Sequence, residues 1–325
     1  MFFISNKYSN FVLNNQQMKP VCLNLEECNG LGDLICATPT IKKLHDAYQR
    51  KIIVISQMPE LFKMNPYVEK SYKASSIDMT YIQSNYIIHN SFYLVGKKDE
   101  RGIEMKHNMM DIRQFHAIHL GFMLGKDELE CFYQPTEEPN VSVEGRYAVI
   151  HPVNSWPNRT WSQENWLKLV DELNKWGYKV VAVGKDSSET GFFNVNKPVH
   201  KMDDNVINLM NKTSIAQTWH LINNAKVVIT MDSGILHLAG TTKTDIVELG
   251  SPINPEFRTP HRQEGKHIYV RGGCGLHCNS NMKYALEYWP TIDYVQPLIG
   301  CLEKKETFEC HPSVEQVIHA INNNL

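Results

Sequence analysis

The stretch Val21-Cys22-Leu23-Asn24-Leu25, followed by Asn29-Gly30-Leu31-Gly32-Asp33 and by Leu34, Thr38, Ile41, His45 and Tyr48 at helical spacing, reads as strand, glycine turn and helix. Ile52 to Ile55 comes next, a β-branched run suited to a strand buried on both faces, with further strands expected at Val68 to Tyr72 and Tyr86 to His89. A helix from about His107 to Leu124 and a strand-like Leu129 to Tyr133 lead into Gln134 to Asn140, a polar, proline-bearing run typical of a linker. Beyond it the alternation restarts. Strands are expected at Tyr147 to Ile150, Lys179 to Val183, Val227 to Thr230 and Asp245 to Leu249, and helices at Ser162 to Trp176, Ser214 to Asn223 and near Ser233. In the first of these helices Trp166, Leu169, Val170, Leu173 and Trp176 share one face, and Ser162 is suited to cap it.

The architecture expected is therefore α/β, two Rossmann-like doubly wound parallel-sheet domains facing a cleft. Residues 1–19 form an N-terminal extension, 20–140 the first domain, 141–312 the second with a cysteine-containing segment, and 313–325 a final helix that could cross back over the first domain. The length, 325 residues, agrees with two domains at ~150 residues each. With 33 Lys and Arg against 35 Asp and Glu, the net charge of -2 gives no global pull toward nucleic acid or an anionic membrane. Any anionic ligand must be held locally. The first residues, MFFISNKYSNFVLNNQQ, lack the unbroken apolar region of a secretory signal, and runs such as Val180 to Val183 fall far short of the ~20 residues of a spanning helix. A soluble cytoplasmic protein is expected.

In doubly wound sheets ligands sit beyond the carboxyl ends of the strands, and three such ends carry chemistry here. At Gly30-Leu31-Gly32-Asp33 the glycines let backbone approach a ligand and Asp33 offers a carboxylate; the same residues also read as a plain helix start. Ile35, and Ser56-Gln57 after the next strand, argue against a dinucleotide fingerprint. At Asp232-Ser233-Gly234 a strand runs into a helix whose first amides lack partners, with His237 one turn on; a phosphate site and a capped helix with a packed histidine are both open readings. At His151 to Trp161 a polar loop carries Arg159, whose planar fork suits a diphosphate unless it is solvated or stacked on Trp161.

Taken in order, these stretches resemble glycosyltransferase family nine, the heptosyltransferase-like enzymes of the GT-B fold. The likeness rests on Gly32-Asp33 running into Ala37-Thr38-Pro39-Thr40-Ile41, on His151-Pro152 with the basic residue two before Trp161, on Asn208-Leu209 through Lys212-Thr213-Ser214, and on Asp232-Ser233-Gly234 with His237-Leu238-Ala239. It covers roughly residues 20 to 325. The resemblance implies inverting transfer of a sugar, heptose from ADP-heptose first among donors, from a nucleotide diphosphate to a sugar hydroxyl of lipopolysaccharide or another glycan, with no cofactor required for catalysis. Asp33 then matches the general base; Ser155, Arg159, Asp232, Ser233, Gly234 and His237 match donor contacts, with Gly30 and Gly32 on the cleft loop. Asp186 or Glu189, after the strand Val180 to Val183, falls where relatives read the nucleoside. The chain departs from the family with Arg159 in place of a usual Lys, and with Val153-Asn154 in place of a glycine-rich turn. Partners implied are a nucleotide-sugar donor and a glycan or glycolipid acceptor, with transient approach to the inner membrane surface and no nucleic acid. The rivals are another nucleotide-sugar donor, a protein acceptor, and a noncatalytic nucleotide-sugar-binding relative.

Cys274, Cys278, Cys301 and Cys310 form the one cysteine cluster with metal-like spacing, readable as a structural Zn or Fe site or as unliganded thiols or a disulfide. Cys22, Cys28 and Cys36 read as core, and His107, His116 and His119 as surface or core histidines. Lys42, Lys43, Arg50 and Lys51 make a basic patch suited to a phosphorylated acceptor or to a solvated face.

Overall fold

The computed structural model describes residues 19–91, 110–136, 139–153, 157–185, 202–278, 301 and 308–325. The first unit contains β1 (Val21–Asn24), α1 (Leu31–Cys36), α2 (Thr38–Tyr48), β2 (Ile52–Ser56), β3 (Val68–Lys73), α3 (Met79–Asn85), β4 (Ile87–Asn90) and α4 (Ile112–His119). The second contains β5 (Tyr147–His151), α5 (Gln163–Lys175), β6 (Lys179–Ala182), β7 (Val206–Asn208), α6 (Ile215–Asn223), β8 (Val227–Met231), α7 (Gly234–Ala239), β9 (Asp245–Leu249), β10 (His267–Val270) and α8 (Val314–Asn324). Every strand pairing is parallel, in the orders β3-β2-β1-β4 and β10-β9-β8-β5-β6-β7. This is the two-sheet GT-B arrangement.

Alternation along the strands builds three layers of core. Val21, Leu23 and Val54 point to one side of the first sheet, Cys22, Ile53 and Ile55 to the other. In the second sheet Tyr147, Val149, Val181 and Val228 share the first group's core, while Ala148, Ile150, Val180 and Ile229 meet α5 and α8. The period of two thus delivers side chains to both faces, and both faces are buried, as parallel sheets require. Leu34, Ile35 and Ile41 from the first unit and Ile235, Leu236 and Leu238 from the second belong to one continuous cluster. At this level the expected cleft is closed: α1 packs directly on α7.

Four expectations are corrected. The single helix through Leu34 and Tyr48 is two, because Pro39 has no N–H to offer Ile35; the Thr38 hydroxyl donates to that carbonyl instead, at 2.7 Å, and the chain restarts as α2. The helix expected from His107 to Leu124 begins, among the described residues, at Ile112 and ends at His119, where Leu120 and Gly121 bond back to Ala117 and Ile118. Leu129 to Tyr133 forms no strand. It crosses α2, with Phe132 N–H donating to Thr38 Oγ1 at 2.9 Å and one bridge from Glu130 to His261. The final helix does not cross back to the first unit: Val314, Val317 and Ile321 pack in the core beside Trp166 and Val170 of α5. Elsewhere the caps are as read, Ser162 Oγ accepting from Asn165 N–H at 3.2 Å and Ser214 closing a capping box with Gln217.

Candidate functional site

The α1–α7 contact is close because each helix has a glycine in its first turn. A Cβ on Gly32 would stand 2.7 Å from His237 Cδ2, and one on Gly234 would stand 3.2 Å from the Gly32 amide nitrogen. The strand-end turns after β1 and β8 therefore touch, and Asp33, Ser233 and His237 share one seam. Asp33 lies in the first turn of α1, half-buried, with its carboxylate folded over Gly30 where any side chain would strike it.

On the other side of the seam Ser233 caps α7, its Oγ accepting from Leu236 N–H and lying 3.1 Å from Thr230 Oγ1, which also reaches His151 Nδ1 at 3.3 Å. Asp232, just outside the cap, is buried and receives Arg159 Nη1 at 3.0 Å, with Arg258 Nε 3.9 Å away. Burial alone would raise the Asp232 carboxyl, but Arg159, then Arg258 and His237, outweigh it and hold it below the ordinary carboxylate range. Asp232 thus holds the Arg159 guanidinium just before the Ser233 cap. His237, 4% exposed, is pushed down to about 4 by burial, Asp232 opposing and Arg113 and Arg258 adding to the effect. It is a neutral imidazole at physiological pH.

The loop holding Arg159 is braced from far along the chain. Trp161 Nε1 donates to the Pro312 carbonyl at 2.8 Å, and His311 Nε2 lies 2.8 Å from the Asn158 carbonyl. Trp161 stands edge-on to Trp166, ring centroids 5.0 Å apart, and Arg159 is engaged by Asp232 rather than stacked.

Two arginines escaped the sequence reading. Arg113, fully buried on α4, makes a fork to Asp111 at 2.7 and 2.5 Å and donates across the seam to the Thr259 carbonyl at 2.8 Å. In return Arg258 of the second unit donates to the Met110 carbonyl of the first at 3.4 Å. Each unit thus lends the other an arginine. A charged residue beside its N-cap aspartate on the apolar face of Ile112, Phe115 and Ala117 was the available signal for Arg113; Phe257-Arg258-Thr259 carries no periodicity and gave none.

Ser155, Glu189, Asp186 and His107 lie outside the described residues. Asn208 and Lys212 close a turn on themselves, Lys212 Nζ donating to the Asn208 carbonyl at 2.9 Å. The basic patch is partly consumed, Lys42 by Asp46 at 2.9 Å and Lys43 by Glu128 at 2.7 Å. His116 is buried against Ser91 Oγ at 2.8 Å, and His119 stands edge-on to Phe115. None of the cysteines forms a disulfide among the described residues. Cys274, Cys278 and Cys310 occupy one corner, where Cys274 N–H donates to the Glu309 carbonyl at 3.1 Å and burial pushes the Cys310 thiol up to about 12. No group of three His, Cys, Asp or Glu among the described residues stands close enough to hold a metal ion. No helix among the described residues is long and apolar enough to cross a membrane.

Two parallel-sheet units meeting at their strand ends define the GT-B class of fold. The model of glycosyltransferase family 9 (heptosyltransferase) matches residues 108–284, more than half of the chain, and the chain belongs to that family. Among curated proteins it is similar to lipooligosaccharide heptosyltransferase 2 of Haemophilus influenzae, 27% identical over 126 residues, 36% of each chain. The match thus spans about a third of that relative's length. Among solved structures it is similar to the iron-containing dodecameric TibC of enterotoxigenic E. coli, solved in complex with ADP-D-β-D-heptose, with TM-score 0.72, 16% identity and coverage of 94% of this chain and 76% of that one. It is similar also to E. coli ADP-heptose lipopolysaccharide heptosyltransferase II, with TM-score 0.57, 17% identity and coverage of 83% and 97%.

Proposed function

We propose that the chain is an inverting glycosyltransferase that moves a sugar, heptose from ADP-heptose first among donors, onto a sugar hydroxyl of a lipopolysaccharide or related glycan. The observation that carries this reading is the seam, where the Asp33 turn and the Ser233-Gly234-His237 turn meet at main-chain distance. Asp33 takes the proton of the acceptor hydroxyl as that oxygen attacks the anomeric carbon from the face opposite the leaving group. The bond from the anomeric carbon to the β-phosphate oxygen breaks, and the electron pair leaves with the nucleoside diphosphate. Arg159, aimed by Asp232, meets the charge that grows there, together with Ser233 and the amides that open α7. Asp232 acts through Arg159, and Ser155 and Glu189 stand as further donor contacts.

In this reading the arginine and the helix start supply the charge stabilisation, so turnover needs no metal, and the reaction takes place in the cytoplasm with the acceptor presented at a membrane surface. The iron named for TibC is said of that protein alone.

Calorimetric titration with ADP, GDP, UDP and dTDP, in the presence of a chelator, tests the donor side. Selective ADP binding supports it, and a transfer assay with ADP-heptose and a truncated lipopolysaccharide acceptor then tests the reaction. Selectivity for another nucleotide replaces the sugar, and binding of none overturns the reading.

A further inference from the structure

At the seam Cys36, the last residue of α1, meets His237 on α7. Its Sγ lies 3.3 Å from Nδ1, and both side chains are buried. A neutral imidazole exists as two tautomers, and the hydrogen bond made by one ring nitrogen decides which nitrogen carries the proton. His237 is neutral because burial pushes it to about 4, and the Cys36 thiol keeps its proton because burial, then the neighbouring Cys131, raise it well above its ordinary value. An imidazole nitrogen is a better acceptor than a thiol sulfur, so His237 outcompetes Cys131 for the Cys36 proton. The Cys131 thiol has a carbonyl of its own, that of Leu129, at 4.0 Å. On its other edge the ring borders Gly32, with Cδ2 2.7 Å and Nε2 3.6 Å from the point a Cβ would occupy there.

We propose that Cys36 is a positioning residue: its S–H donates to Nδ1 of His237 and fixes the Nε2–H tautomer, so that the ring offers a neutral N–H donor, on the edge bordering Gly32, to an anionic oxygen of the bound sugar nucleotide. The ligand part of this inference rests on the donor reading above; the tautomer does not. A thiol from one unit thereby sets the proton position on a histidine of the other. That assignment exists only while α1 and α7 are together. It also gives the cysteine a role besides filling core.

The test is long-range proton–nitrogen correlation spectroscopy of the full chain labelled with nitrogen-15, with His237→Gln identifying the ring signals. The wild type and Cys36→Ser are expected to show a pyridine-type Nδ1 and a pyrrole-type Nε2 at position 237. Cys36→Ala is expected to bring in the opposite tautomer and to weaken ADP binding by about 3-fold to 10-fold, the range for one lost hydrogen bond. A proton on Nδ1 in the wild type overturns the proposal, and so does an unchanged tautomer in Cys36→Ala. Should Cys36→Ala fail to fold, the wild-type and serine spectra decide it. A tautomer as expected in a protein that binds no nucleotide upholds the Cys36 assignment and removes the donor reading alone.

Discussion

The molecule uses one local device twice, a strand running through a glycine turn into a short helix, and the two copies end up chemically opposite. After β1 the acid lies inside the helix: Asp33 is in the first turn of α1, half-buried, and Gly30 provides no side-chain cap. After β8 the acid lies before the helix: Asp232 is buried against two arginines, and the cap is Ser233. A shift of a few residues relative to the cap separates a half-buried carboxylate from a buried one paired with arginine. Residue type alone does not assign a role to an aspartate at a strand end.

The largest expected effect breaks the comparison at its reactive half. Asp33→Asn should lower turnover by a factor on the order of 10²–10⁴ while nucleotide affinity by calorimetry stays within about 2-fold, as loss of a general base does. Turnover near wild type would mean that the two acids do not differ in the way described. On the other half Asp232→Asn should act first on folding. It removes the carboxylate charge that faces partly buried Arg159 and buried Arg258, at a cost of about 3–5 kcal/mol in denaturant unfolding. Because the folded value of Asp232 is depressed, its contribution is present above pH 3.8 and fades as pH falls below that, so the gap between variant and wild type should close in acid.

His237 sharpens the contrast with a smaller effect of different shape. Unfolded, its ring takes a proton at the ordinary 6.5, folded only at about 4, so acid favours the unfolded chain between those values and stability falls as pH drops from 6.5 to 4. The window is worth at most about 3.5 kcal/mol at ~1.4 kcal/mol per unit. His237→Gln should flatten that part of the stability curve, leaving the share from the other histidines that burial pushes down, His116 to about 4 and His89, His261, His277 and His311 in the same direction. An unchanged slope would show that the imidazole is not sealed in the seam. The mildest change is Ser233→Ala, expected to cost about 1 kcal/mol by thermal or denaturant unfolding. Its counterpart Gly30→Ala removes no cap and instead displaces Asp33, so it should cut turnover more than stability.

What the sequence made legible was whatever two-sided burial writes into it. Ile52 to Ile55, Ala148 to Ile150 and Val227 to Ile229 face core on both sides, so their apolar runs mark parallel strands without help from context. The short edge strands β7 and β10 were missed because they are only three and four residues long, and Val206-Ile207 and Ile268-Tyr269-Val270 are too brief to stand out as runs. Helix α3 buries only Ile82 and shows no stripe. The GD and DSG turns were legible as turns, but their contact depends on how α1 meets α7, which no local pattern encodes. The arginine exchange between Arg113 and Thr259, and between Arg258 and Met110, spans 146 and 148 residues of chain and belongs wholly to that docking.

The bracing of the Arg159 loop by Pro312 and His311 bears on how the protein comes into being. A chain made from its N-terminus completes the loop itself long before the bracing residues are synthesised, since Asn158 and His311 are 153 positions apart. Until that segment emerges and folds against α5, the loop lacks the braces at Trp161 and Asn158 and Arg159 is held by its ion pair with Asp232, although units generally fold as they are made. A nascent or truncated chain is then expected to be folded in its first sheet while the Arg159 loop is still unbraced, so that the loop's final geometry arrives late in synthesis.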